Sequence, residues 1–164
     1  MENTIKKQTV AQLISPAQLL EHYQGHRGLT RRVIEAFPEK EFFSFKIGGM
    51  RTFAEITMEL LGIAVPGLNE IVTRDSKELN EHFEHGNKKE NILARWDEDT
   101  QKIDELWARI ALEDFQEEVN LFGQYKGTVQ SSIFYFIDNE IHHRGQGYVY
   151  LRALGIEPPH FYER

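Results

Sequence analysis

The sequence predicts an all-α protein built as a four-helix bundle. Four long segments carry apolar residues at intervals of three and four, the spacing that gives a helix one buried face. The longer link falls between the second and third of them. No strand pattern alternates with the helices, which argues against a parallel α/β sheet. At 164 residues the chain fits one domain with a substantial core. It reads as a single helical domain over 1–164, with 1–14 a flexible lead-in.

Ser15-Pro16 opens the first helix, with Ser as N-cap and Pro at the first helical position. Leu19, Leu20, Tyr23, Leu29, Val33 and Ile34 give it an apolar face as far as Ala36, and Phe37-Pro38 ends it. Gly25 and Gly28 weaken it, each by about 1 kcal/mol relative to Ala. Residues 39–49 form a connector rich in phenylalanine: Phe42, Phe43 and Phe45. A second helix starts near Thr52, with Phe53, Ile56, Leu60 and Ile63 inward. Pro66-Gly67 is expected to kink or end it, leaving 68–72 as a further helical piece.

Residues 73–91 are polar and read as a surface loop, with room for a short helix over 77–83. The third helix spans about 89–111, its core face made by Ile92, Leu93, Trp96, Ile103, Leu106, Trp107 and Ile110. Residues 119–128 look like a small hairpin or an irregular turn. The fourth helix runs over about 128–154. Gly155 serves as its C-cap, and Pro158-Pro159 prevents continuation.

Net charge is −7, from 19 basic and 26 acidic residues, which argues against a surface given over to nucleic acid or anionic membrane. Local basic clusters remain at Arg27, Arg31 and Arg32 and at Lys88 and Lys89. There are no cysteines, so disulfides, thiolate catalysis and cysteine-held metals are excluded. Neither a signal peptide nor a membrane span is read, and a cytoplasmic location is the expectation.

The fourth helix carries the chemistry. Beside a core stripe of Ile133, Ile137, Ile141, Tyr148 and Leu151 runs a polar row of Asn139, His143 and Gln146. Burying such groups costs free energy unless they find partners, so the row points to a metal, a ligand or a hydrogen-bond network. His142 is expected to point outward and pair with Asp138, four residues earlier. Arg144 is expected in a structural ion pair, and Gly145 and Gly147 at close helix packing. His22 and His26 form a second i, i+4 pair that a metal could take from one face, in the same pocket if the first helix turns it that way. His82 and His85 are expected exposed, and Trp96 and Trp107 in the core. No phosphate loop, dinucleotide-binding glycine pattern or serine-hydrolase elbow is present.

The run His142-His143-Arg144-Gly145-Gln146, then Tyr150-Leu151-Arg152 and Leu154-Gly155-Ile156 with Pro158-Pro159, resembles the closing helix of the DinB/YfiT-like proteins. Residues 51–56 resemble the opening of that family's second helix, and Phe122-Gly123 with Gly127-Thr128 the approach to its fourth. The resemblance covers about 15–159. It implies a DinB-type four-helix bundle, a homodimer, and a divalent metal (nickel, zinc or manganese) held by histidines of the second and fourth helices. On this chain the ligand positions fall on Glu59, Asn139 and His143, only the last a histidine. The resemblance then implies a metal-dependent enzyme, a thiol-dependent transferase or isomerase or a hydrolase, acting in stress or detoxification. His143 and Glu59 would be its catalytic pair, a small molecule or thiol its partner. The alternative is a non-catalytic member that keeps the bundle as a small-ligand-binding or stress-response interaction protein.

Overall fold

The computed structural model describes residues 13–164. Of the expected flexible lead-in, residues 1–12 lie outside the described residues. The element order is α1 (Pro16–Ala36), α2 (Glu39–Ser44), α3 (Phe53–Thr73), α4 (Lys89–Trp107), a 3-10 turn (Leu112–Gln116), β1 (Glu118–Leu121), β2 (Tyr125–Thr128) and α5 (Val129–Ala153). The four long helices, α1, α3, α4 and α5, make the bundle. In it α5 packs on α1 and α3, and α4 packs on the same two.

Helix starts follow the sequence signals. Ser15 caps α1 in a reciprocal capping box with Gln18, and Thr52 does the same for α3 with Glu55. Thr128 accepts from the Ser131 backbone to cap α5, and Gly155 follows that helix at φ +76°. The hairpin forms as expected, with Leu121 opposite Tyr125.

Several elements differ from the sequence reading. The phenylalanine connector contains a short helix, α2, and its aromatics do not share one face. Phe42 is in the core, Phe43 stacks on His85, and Phe45 packs edge-on to Tyr150. α3 does not end at Pro66 but runs on to Thr73. The lost hydrogen bond is offset by tight packing on both sides of the proline. A Cβ at Gly62 would lie 2.7 Å from the Asn80 carbonyl oxygen, and one at Gly67 would lie 2.6 Å from the Phe136 ring. α3 is long and apolar enough to cross a membrane, but 72% of that apolar window is buried inside the bundle. No helix forms over 77–83; that stretch crosses α3 at Gly62 instead. α4 stops at Trp107 rather than at 111, and Ile110 packs on the core from the turn beyond.

The core has three layers. An apolar layer at the hairpin end includes Leu68, Ile103 and Ile133; another at the α2 end includes Phe53, Trp96 and Tyr150. Between them lies a polar layer. Arg27, fully buried, sits 3.5 Å over the Trp96 ring and pairs with Glu140 at 3.5 Å. Thr30 donates to Glu140 at 2.7 Å, and Arg144 donates to Thr30 at 3.2 Å and to His26 Nδ1 at 2.9 Å. Burial pushes the Glu140 carboxyl upward, while Arg27, Thr30 and Arg144 pull it back.

This layer rewrites part of the α5 stripe. Glu140 and Arg144 turn inward, and Ile141 is left 38% exposed, contrary to the expected core position. Nor do the N-terminal arginines make a basic patch. Arg27 is internal, Arg31 pairs with Asp97 at 2.6 Å, and Arg32 pairs with Glu163.

Candidate functional site

The site lies between α3 and α5, at the level of the polar layer. Glu59 is on the second turn of α3, whose start Thr52 and Glu55 fix. Asn139 and His143 are one turn apart on α5, as the polar row requires. All three sequence-predicted residues meet. His143 Nε2 lies 3.0 Å from Glu59 Oε1, and Asn139 Nδ2 donates to the same oxygen at 3.3 Å. Gln146, the last of the row, places its Oε1 at 3.1 Å from His143 Nδ1. It also hydrogen-bonds His142 Nε2 at 3.2 Å, so His142 pairs with Gln146 rather than with Asp138.

Two charged residues complete the cluster. Arg51 donates to Glu59 Oε2 and lies 3.9 Å from Glu81, which comes from the loop crossing α3. Tyr150 donates to the Arg51 carbonyl at 2.7 Å, tying the approach to α3 onto α5. The sequence gives little sign of Arg51: it precedes the helix and reaches Glu59 only by lying along two turns of it.

The electrostatics follow from these contacts. The hydrogen bond with His143 holds the Glu59 carboxyl down at about 2, against burial, with Arg51 adding to the effect. Burial pulls His143 down, but its bonds to Glu59 and Gln146 outweigh that, and its pKa is raised above the ordinary value. With both ring nitrogens facing acceptors, the protonated imidazole is well housed.

This arrangement does not suit a divalent metal. No group of three or more His, Asp or Glu side chains suited to a metal occurs among the described residues. The His143 nitrogen that would face a metal is bonded to Glu59, Asn139 turns its amide nitrogen toward the cluster, and Arg51 already supplies a cation.

His22 and His26 do not join this site. Their Nε2 atoms are 3.2 Å apart, but His26 is held between Arg144 and Arg164, and burial, then Arg144, His22 and Arg164, push its pKa down to about 4. Arg144 makes hydrogen bonds within the polar layer rather than an ion pair. Gly147 is at a close approach, since a Cβ there would lie 2.5 Å from the Phe53 ring; Gly145 faces open space. His82 is exposed as expected, and His85 is half-buried against Phe43. Trp96 and Trp107 are core.

A cavity of about 400 Å³ lies one helical turn from the cluster, with Glu59, Asn139 and His143 outside its lining. Ile63, one turn beyond Glu59, lines it from α3; Tyr135, one turn before Asn139, lines it from α5; Phe122 and Tyr125 close it from the hairpin. Phe122 is held at φ +55°, where its backbone N–H donates to the buried Glu70 carboxylate at 3.0 Å.

The structure is similar to that of a DinB-like protein from Bacillus cereus ATCC 10987, with a TM-score of 0.73 at 14% identity, covering 89% of this chain and 97% of that one. It is also similar to the DinB-like protein YjoA from Bacillus subtilis, with a TM-score of 0.69 at 20% identity, covering 90% and 99%. At these identities the likeness speaks for the fold. No curated protein matches the sequence. The DinB family model matches residues 1–164, the whole length, and on that match the chain belongs to the DinB family.

Proposed function

We propose that the protein takes up a small molecule in the groove between α3 and α5, with the Glu59–His143 pair as its acid–base element and no resident metal. One observation supports this above the others: His143 Nε2 stands 3.0 Å from a Glu59 carboxylate that Arg51 already neutralises. Above its raised pKa, His143 is a base beside an ionised carboxylate. With Nε2–H donating to Glu59, a thiol or water that displaced the Gln146 amide from Nδ1 would give up its proton to that nitrogen, a step that transferases and hydrolases need. Glu59 would favour the imidazolium so formed and hold the ring through Nε2. The setting we propose is the homodimer acting in stress or detoxification that the family resemblance implies, placed in the cytoplasm as the sequence reading expects.

The test is tag-free protein, assayed for bound nickel, zinc and manganese, together with an NMR pH titration of the histidine rings. The expected result is less than stoichiometric metal, and a His143 pKa that falls to or below the ordinary value in Glu59→Gln. Stoichiometric metal that disappears in His143→Ala would overturn the reading. So would a His143 pKa that Glu59→Gln leaves unchanged.

A further inference from the structure

The geometry points to the cavity beside the hairpin as the place where the body of the ligand sits. It further points to an uncharged, flat, largely apolar ligand that carries a protic group such as a hydroxyl or thiol. This inference rests on reading Glu59–His143 as the proton-transfer pair.

The size fits. A cavity of about 400 Å³ lies at the small end of the range for small-molecule pockets. Its walls are mostly apolar or aromatic: Ile63, Leu121, Phe122, Tyr125, Tyr135 and Phe136. Tyr125 and Tyr135 lie nearly parallel, 20° apart with centroids at 6.3 Å, and each is about half exposed. Two large rings left in water beside a cavity offer a flat surface on which another ring can stack.

Charge selects against an anion. Lys126 is the one charged residue in the lining. It pairs with Asn120, and strand alternation sends its side chain to the opposite face of the hairpin from Leu121 and Tyr125. An anion seated on these walls would therefore leave water without a counter-charge, whereas a hydroxyl or thiol loses far less on the same transfer.

Helix geometry supplies the connection. Ile63 follows Glu59 by one turn, and Tyr135 precedes Asn139 by one turn. A ring stacked on Tyr135 would therefore lie one turn from Asn139, with an edge group able to point along α3 and α5 toward Glu59 and His143.

The experiment is a fluorescence titration of the full chain with β-naphthol, a neutral protic bicycle, and with β-naphthoate, its anionic counterpart. Saturable naphthol binding is expected, with naphthoate weaker by about tenfold. Tyr135→Ala and Ile63→Trp should each weaken naphthol binding by about tenfold or more, with circular dichroism confirming that both fold. The inference is overturned if naphthol does not saturate, if naphthoate binds as well, or if folded Tyr135→Ala and Ile63→Trp bind as wild type. A histidine titration with and without naphthol separates this inference from the reading beneath it. If naphthol binds in the cavity but leaves the His143 pKa unmoved, the ligand body is placed and the acid–base reading fails. If His143 titrates high but naphthol does not bind, the cavity assignment fails alone.

Discussion

Glu59 accepts from His143 and Asn139 on one oxygen and from Arg51 on the other, so its ionisation governs the cluster. Its pKa, held down at about 2 against 4.5 unfolded, contributes stability that is full above pH 4.5 and lost as pH falls toward 2. His143 has the opposite sign. Its pKa is raised above 6.5, so its contribution is full below pH 6.5 and lost as pH rises through the raised value. Both contributions are complete only between about pH 4.5 and 6.5. The stability difference between wild type and Glu59→Gln in urea unfolding should be largest in that window, at about 2 kcal/mol. Parallel pH profiles for wild type and variant would refute the coupling. His143 and Asn139 were legible in the sequence because motif and helix face agreed, and Glu59 followed from its register after Thr52. Arg51 was not, since no periodic pattern reports a side chain lying along two turns. Ile141 misled because an isoleucine at helical spacing looks like core, and only tertiary contacts show that Glu140 and Arg144 take the interior.

Among the elements, α5 gives the sharpest contrast. Gly145 and Gly147 look alike in sequence, yet one faces open space and the other meets the Phe53 ring. Gly145→Ala should stabilise the protein by about 1 kcal/mol through helix propensity. Gly147→Ala should destabilise it by about 1–3 kcal/mol, because Phe53 and Val33 must move. Thermal or urea denaturation decides the matter, and shifts of the same sign would contradict the packing. Helix starts were readable from Ser15, Thr52 and Thr128, whose caps act locally. The passage of α3 through Pro66 was not, because the packing at Gly62 and Gly67 that sustains it comes from Asn80 and Phe136, distant in sequence.

The bundle as a whole is organised around its polar layer. Removing one partner from a buried pair costs more than the pair contributes, since a charge is left unmatched. Arg27→Met should lower stability by about 3–5 kcal/mol, and adding Glu140→Leu should recover part of that. Equilibrium urea unfolding of the two variants checks this; a double variant no more stable than the single one would mean that Arg27 acts through Trp96 alone. The number and order of the long helices were legible from periodicity and capping. The layer was not, because its polar members are scattered over α1 and α5, and Arg27 and Glu140 each look like an ordinary surface charge in their own helix.

The same layer has a consequence for engineering. Glu140 and Arg144 fix the rotation of α5 from the inside, so positions 139 and 143 keep their aim whatever side chains they carry. The groove is in effect a preset socket with interchangeable fittings. Replacing Arg51 by Ala, Glu59 by His and Asn139 by His should convert it into a three-imidazole site. Tag-free triple variant should retain about one equivalent of zinc or nickel through dialysis, more than the parent protein retains under the same treatment.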